Sequence, residues 1–170
     1  MEARVGKLPL SGRYHQAPRK MMDDYDVHKK VLGSGYNGVV RMATSKSSSS
    51  SSQKFAVKTF NLSMVEAKNR EQLESEVEIF LSMDHPHITR LYDVYEDDQH
   101  LFLVMECMEG GELFERLTEV KRFCEHDAAD AIWQMLLALN YIHSHGIVHR
   151  DIKLENFLYD KKGSSHLKLI

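Results

Sequence analysis

The sequence predicts an α+β fold: a β-rich front part with one main helix, then the start of a mainly helical part. Three observations point there. Short β-rich runs succeed one another between Tyr25 and Met105. A single helical period interrupts them, over about residues 65–83. A longer stretch, Asp127 to about Ser144, is apolar nearly all round, as an interior helix is.

Taken in order, residues 1–24 are polar, carry Pro9 and Pro18, and show no period, which predicts a mobile extension. Tyr25-Asp26-Val27-His28 opens a strand that runs to Val31-Leu32. Gly33-Ser34-Gly35-Tyr36-Asn37-Gly38 turns the chain into Val39-Val40-Arg41-Met42-Ala43, a hairpin joined by glycines. Ser47–Ser52 is an unbroken serine run that cannot bury apolar area and predicts a solvated loop. Phe55-Ala56-Val57-Lys58-Thr59-Phe60 reads as a third strand. Leu73, Val77 and Phe80 or Leu81 recur at helical spacing, and Pro86 lies just beyond. Leu91–Tyr95 and His100–Met105 read as strands about the Glu96-Asp97-Asp98 turn. Gly110-Gly111 breaks the pattern before a short helix from Glu112 to about Thr118. After the long helix, Phe157-Leu158-Tyr159 and Leu167-Lys168-Leu169-Ile170 flank a polar turn, another short hairpin.

The composition is that of an ordinary soluble chain of 170 residues, 42% hydrophobic and 28% charged. A formal net charge of -3 gives no electrostatic footprint for nucleic acid or an anionic membrane. No apolar run approaches the roughly 18 residues a membrane span needs. There is no signal-peptide pattern, and Glu2 excludes myristoylation of this start. Cys107 and Cys124 read as free thiols in a reducing compartment, so the expected location is cytoplasmic.

The most informative run is His149-Arg150-Asp151-Ile152-Lys153-Leu154-Glu155-Asn156. It sets a carboxylate that can accept a proton, an ammonium that can neutralise phosphate, and an amide oxygen that can bind a hard metal ion on one short segment. Phosphoryl transfer uses such parts, because positioning and charge neutralisation do most of its catalytic work. His143-x-His145-x-x-x-His149 has zinc-like spacing, but no Cys or carboxylate completes it. The Gly33-x-Gly35-x-x-Gly38 pattern also occurs in dinucleotide-binding units, where a helix follows the glycines. Here strand residues follow, with Val40 two places after the last glycine.

These segments, with Ala56-Val57-Lys58 and Met105-Glu106-Cys107-Met108-Glu109-Gly110-Gly111-Glu112, resemble the ordered motifs of serine/threonine protein kinases. Asp84-His85-Pro86-His87-Ile88, Gly110-Gly111-Glu112-Leu113-Phe114 and Phe123-Cys124-Glu125-x-Asp127-Ala128-Ala129 are most similar to the calcium- and calmodulin-dependent branch, in particular the calcium-dependent protein kinases of plants and protists. Leu154 stands where that family usually has Pro, and Asn37 where it usually has an aromatic residue.

The resemblance implies a protein-kinase-like fold with a β-rich small lobe over 25–105, a hinge over 106–111 and the first part of a large lobe over 112–170. It implies ATP and Mg²⁺ as cofactors. Asp151 would orient the substrate hydroxyl and accept its proton, Lys153 would neutralise the transferring group, and Asn156 would hold Mg²⁺. Lys58 would grip the α- and β-phosphates, paired with Glu76, which counting back from His85-Pro86 puts at the family's position. Glu71, Glu74 and Glu78 would be surface charges. Leu32, Gly33, Ser34, Gly35, Tyr36, Asn37 and Gly38 would cover the phosphates. Val40, Ala56 and Leu158 would enclose the adenine, with Met105 as gatekeeper and the backbone of Glu106 and Met108 at its edge. Glu112 and Glu155 would line the ribose or meet a basic side chain before the target Ser or Thr of a protein substrate.

The metal-binding Asp of D-F-G would follow Ile170, where this chain ends, so the expectation is the front part of a longer product that is inactive alone. The EF-hand pattern does not occur in these residues, and calcium regulation would come through segments outside them. The alternatives are a pseudokinase-like or truncated ATP-binding module acting through interactions, and a nucleotide oxidoreductase, against which the β-rich run after Gly38 argues.

Overall fold

The structure is a computed structural model that describes residues 12–35, 38–47, 53–65 and 67–170. Tyr36, Asn37 and most of the serine run therefore lie outside the described residues. The chain forms two compact units. The first comprises the described residues up to Met83 together with Arg90–Glu106, and the second comprises Asp84–Thr89 with Cys107–Ile170.

The first unit contains β1 (Tyr14–His15), α1 (Met21–Asp24), β2 (Tyr25–Gly35), β3 (Gly38–Ser45), β4 (Lys54–Asn61), a 3-10 turn (Leu62–Met64), α2 (Ala67–Ser82), β5 (Leu91–Glu96) and β6 (His100–Glu106). Its six-stranded sheet runs β1-β5-β6-β4-β3-β2. All neighbours are antiparallel except β1, which lies parallel to β5. The β5–β6 turn is set by Asp97, whose Oδ1 accepts from Gln99 N at 2.8 Å and His100 N at 2.7 Å.

Register decides which side chains share a face, because residues directly opposite in an antiparallel pair point the same way. Val40 lies opposite Lys58 and Lys58 opposite Leu103, while Met42, Ala56 and Met105 form the next row. On this face Phe60, Leu101, Leu103 and Met105 pack with Leu73, Val77, Phe80 and Leu81 of α2. That arrangement bears out the helical spacing read from the sequence.

On the opposite face Ala43, Phe55, Val57, Tyr95 and Val104 pack around Met21 and Tyr25. The Tyr25 ring meets Phe55 edge-on at 5.2 Å. Residues 12–24 thus differ from the expected mobile extension. They supply an edge strand, a short helix and a core residue, Met21, only 3% exposed. Burying such a side chain is worth about 1.5–3 kcal/mol, which offsets the ordering cost that a polar, aperiodic stretch alone would not.

The second unit contains α3 (Leu113–Val120), α4 (Glu125–Ser144), a 3-10 turn (Leu154–Asn156) and the β7 (Phe157–Tyr159)–β8 (Leu167–Leu169) hairpin. Cys124 caps α4, its Sγ accepting from Asp127 N at 3.4 Å. Only one stripe of α4 is buried: Ala131, Gln134, Ala138 and Ile142. Gln134 donates to Ser165 O at 2.9 Å and accepts from Leu167 N at 2.7 Å, which fastens the helix to the hairpin. Ile132, Trp133 and Leu136 are more than half exposed, so the all-round burial expected of this helix is not found among the described residues. Residues 84–89 belong to this unit, not to the β-rich lobe expected over 25–105. Thr89 N donates to Leu169 O at 2.8 Å and Leu169 N to His87 O at 2.9 Å, which fastens the segment to β8.

Candidate active site

The Asp151 loop lies in the second unit and leads directly into β7. Arg150 takes a positive φ of 67° there, which swings the chain between His149 and Asp151. The loop then closes on itself. Lys153 Nζ lies 2.9 Å from Asp151 Oδ2. Asn156 Nδ2 donates to the Asp151 carbonyl at 2.6 Å and to its Oδ2 at 3.1 Å. Asn156 N donates to Lys153 O at 3.1 Å, and Asn156 O accepts from Ile170 N at 3.0 Å, which ties the loop to the end of β8. His149 braces the other side, with Nε2 3.3 Å from Ile170 O and Nδ1 accepting from Asp151 N at 3.3 Å.

The electrostatics follow from this geometry. The Lys153 ammonium, helped by the Asn156 amide, holds the Asp151 carboxyl below the usual carboxylate range, and Asp151 in turn raises the Lys153 ammonium. Asp151 is thus an ionised acceptor at neutral pH. Asn156 spends its amide N–H groups on the loop, while its Oδ1 accepts no hydrogen bond among the described residues. An amide oxygen held that way suits a hard cation such as Mg²⁺. Among the described residues no group of three or more His, Cys, Asp or Glu could hold a metal ion. Leu154 opens the 3-10 turn at its first position, where Pro is also accommodated, so the departure keeps the spacing.

Gly110 and Gly111 are explained by the same hairpin. Gly110 N donates to Tyr159 O at 3.0 Å, and a Cβ at Gly110 would clash with the Tyr159 Cβ and lie 2.5 Å from Lys161 O. Gly111 has φ +81° and accepts from Tyr159 N at 3.0 Å. Glu112 bridges to Leu158, so the start of α3 is registered against β7. Burial raises the Glu112 carboxyl above its ordinary value, and the Glu115 and Glu155 charges add to this. Three acids around one spot favour a cation. Met108, buried, offers a backbone N–H that makes no hydrogen bond among the described residues.

In the first unit, Lys58 shares a sheet face with Val40, Ala56 and Met105. Burial lowers its ammonium pKa, and Nζ lies 4.9 Å from the Phe60 ring centroid. The expected Lys58–Glu76 ion pair is not made. Glu76 is exposed on α2 and accepts from Gln72 Nε2 at 3.0 Å, a helix neighbour one turn away. Leu32 to Gly35 form the end of β2, and Gly35 pairs with Gly38 across the turn. A Cβ at Gly38, which has φ +119°, would meet the Thr59 carbonyl oxygen. Glu106 N donates to Arg90 O at 2.9 Å, so the strand hydrogen bonding continues through Glu106.

Residues 25–170 match the protein kinase domain family. The chain belongs to that family. It is 38% identical over 138 residues to calcium/calmodulin-dependent protein kinase type 1 of Macrobrachium nipponense, covering 81% of this chain and 39% of that protein. It is 39% identical over 152 residues to calcium-dependent protein kinase 5 of Plasmodium falciparum, covering 89% of this chain and 26% of that one. Among solved structures, the twitchin kinase fragment of C. elegans superposes with a TM-score of 0.79 at 30% identity, over 93% of this chain and 34% of that one. Rad53 1-466 in complex with AMP-PNP superposes with a TM-score of 0.76 at 29% identity, over 87% of this chain and 38% of that one. The chain therefore spans between about a quarter and two fifths of the relatives it matches. The α+β kinase fold and the calcium-dependent branch expected from the motifs agree with these matches.

The motifs missed Arg13. Its guanidinium bonds the carbonyl oxygens of Leu81, Leu91 and Tyr92, yet a lone Arg in an aperiodic polar stretch carries no signal of that role.

Proposed function

We propose that these residues are the ATP-binding and catalytic-loop part of a protein serine/threonine kinase. The γ-phosphoryl of ATP goes to a Ser or Thr hydroxyl of a protein substrate. The observation that carries this reading is the closed Asp151–Lys153–Asn156 loop. Asp151 orients the hydroxyl and accepts its proton as the hydroxyl oxygen bonds to the γ-phosphorus and ADP leaves. Lys153 neutralises the transferring group. Lys58 grips the α- and β-phosphates, for which a desolvated ammonium is suited. The strand end 32–35 and Gly38 present backbone to the phosphates. Val40, Ala56, Met105 and Leu158 supply apolar surface for adenine, with the backbone of Glu106 and Met108 at its edge. Mg²⁺ would be held at Asn156 Oδ1 and would offset phosphate charge. Within these residues Asn156 is the ligand proposed for it, and nucleotide binding is the part of the function they carry.

Glu112 and Glu155 support selection of a basic residue before the target Ser or Thr. The calcium-dependent relatives support calcium control through segments outside these residues, in a cytoplasmic protein. No helix among the described residues is long and apolar enough to cross a membrane. The test is peptide phosphorylation by the full native polypeptide. Asp151→Asn should remove about 10²-fold or more of the rate, the size expected for loss of a positioned base. Glu112→Gln should reduce the preference for Arg-containing peptides. An unchanged rate in Asp151→Asn contradicts the assignment.

A further inference from the structure

Arg13 lies outside the residues that match the kinase family, yet it is wired into the helix that carries Glu76. Its Nη1 donates to Leu81 O, in the last turn of α2, at 3.1 Å. Its Nε donates to Tyr92 O at 2.8 Å, and its Nη2 donates to Leu91 O. Its own carbonyl accepts from Val94 N at 2.8 Å. One planar fork thus joins the C-terminal end of α2 to the first residues of β5. One acceptor, Leu81 O, belongs to the last turn of a helix. The last carbonyls of a helix have no partner within the helix and favour a cation. Leu91 is 0% exposed, so water cannot serve its carbonyl.

The segment that delivers Arg13 is itself fastened. Tyr14 Oη donates to Glu96 Oε2 at 2.6 Å, and His15 Nε2 lies 3.0 Å from Asp93 Oδ1. Tyr25 Oη donates to Asp93 Oδ2 at 2.6 Å. Arg19 binds Asp24 at 2.9 Å, and Tyr95 Oη donates to the same Asp24 carboxylate at 2.7 Å. Glu76, in the middle of α2, faces solvent and is bonded to Gln72. How near Glu76 can come to Lys58 depends on where α2 is held, and its C-terminal end is the end Arg13 holds.

We propose that Arg13 is a positioning residue for α2: it fixes the C-terminal end of the helix that carries Glu76, and so sets how near Glu76 can come to Lys58. The segment 12–24 is then a working part of nucleotide binding. This rests on the nucleotide-binding roles proposed above for Lys58 and Glu76.

The test is amide hydrogen exchange over residues 77–83, with titration of Mg·AMP-PNP, on the 170-residue chain. The variants are Arg13→Ala, Arg13→Lys and Tyr14→Phe. Arg13→Ala should speed exchange at the end of α2 about tenfold, the loss expected from unmaking charge-assisted bonds, and weaken nucleotide binding severalfold. Arg13→Lys, which cannot span three carbonyls, should fall between it and the wild type. Tyr14→Phe removes the bond to Glu96 but keeps the ring that packs beside α2, so it loosens the same strand with the helix contact intact and should leave both readouts at wild-type values.

Equal α2 exchange in Arg13→Ala and Tyr14→Phe overturns the proposal. So does faster exchange with unchanged nucleotide affinity. If Arg13→Ala does not fold, Arg13→Lys decides, and wild-type values in it are the overturning result. If the wild-type chain binds no Mg·AMP-PNP, the nucleotide-binding reading fails, and the exchange comparison alone decides whether Arg13 holds the helix.

Discussion

Asn156 donates its side-chain amide to both the main-chain carbonyl and the carboxylate of Asp151, at 2.6 and 3.1 Å. One residue therefore fixes the direction of the proposed base and leaves its own oxygen for a cation. Lys153 completes the arrangement by neutralising the same carboxylate.

That neutralisation is open to titration. Lys153→Met should raise the Asp151 carboxyl toward its ordinary value, because the ammonium is the largest cause lowering it. A carboxyl depressed in the folded state stabilises the fold above its unfolded pKa, and that contribution is lost as pH falls through the folded one. The variant should therefore lose less stability than the wild type on acidification. Carboxyl-carbon NMR of Asp151 against pH reads the shift. An unmoved titration in Lys153→Met would show that the contact has no electrostatic effect.

Gly110 is required by space. A side chain there would strike Tyr159 and the Lys161 carbonyl, which are β7 and turn backbone neighbours that cannot swing away. Gly110→Ala should cost about 1–3 kcal/mol in urea unfolding, the range for overpacking a filled site. A variant of wild-type stability would mean that the segment and β7 are not in contact.

Met21→Ala tests whether residues 12–24 belong to the fold. Met21 is buried against Phe55, Val57 and Val104 on the sheet face opposite α2. Truncation should cost about 2–5 kcal/mol, and thermal unfolding would report it. A loss near zero would return this segment to the mobile extension that composition predicts.

Composition and periodicity made much of the fold legible. The Val77–Leu81 spacing located α2, and alternation with glycine punctuation located the strands from Tyr25 to Met105. These signals survive because packing on one face imposes a period on the sequence. β1 and α1 are two and four residues long, too short for any period to show. Their residues are held by Tyr, Asp and Arg hydrogen bonds that leave no pattern along the chain. The all-apolar reading of α4 failed differently: periodicity counts apolar residues, but Ile132, Trp133 and Leu136 lie outside the stripe that meets β8.

The candidate site was legible where chemistry is local. Asp151, Lys153 and Asn156 sit on one short segment, where the sequence already sets them side by side, and the structure adds their mutual contacts. The Lys58–Glu76 pair depends on how a helix is rolled, which spacing does not encode. Glu76 has instead the nearer partner, Gln72.

Titration of the 170-residue chain with Mg·ATP, in the wild type and in Lys58→Met, reaches the proposed function without requiring turnover. Lys58 stands in a row with half-buried Val40 and buried Leu103, so Met should fit in its place and the fold should persist. The wild type should bind saturably, and Lys58→Met should bind about tenfold or more weakly, as loss of a charge-assisted phosphate contact implies. Equal affinity in the two chains, or no binding by a folded wild type, would contradict the assignment of Lys58 to the nucleotide phosphates.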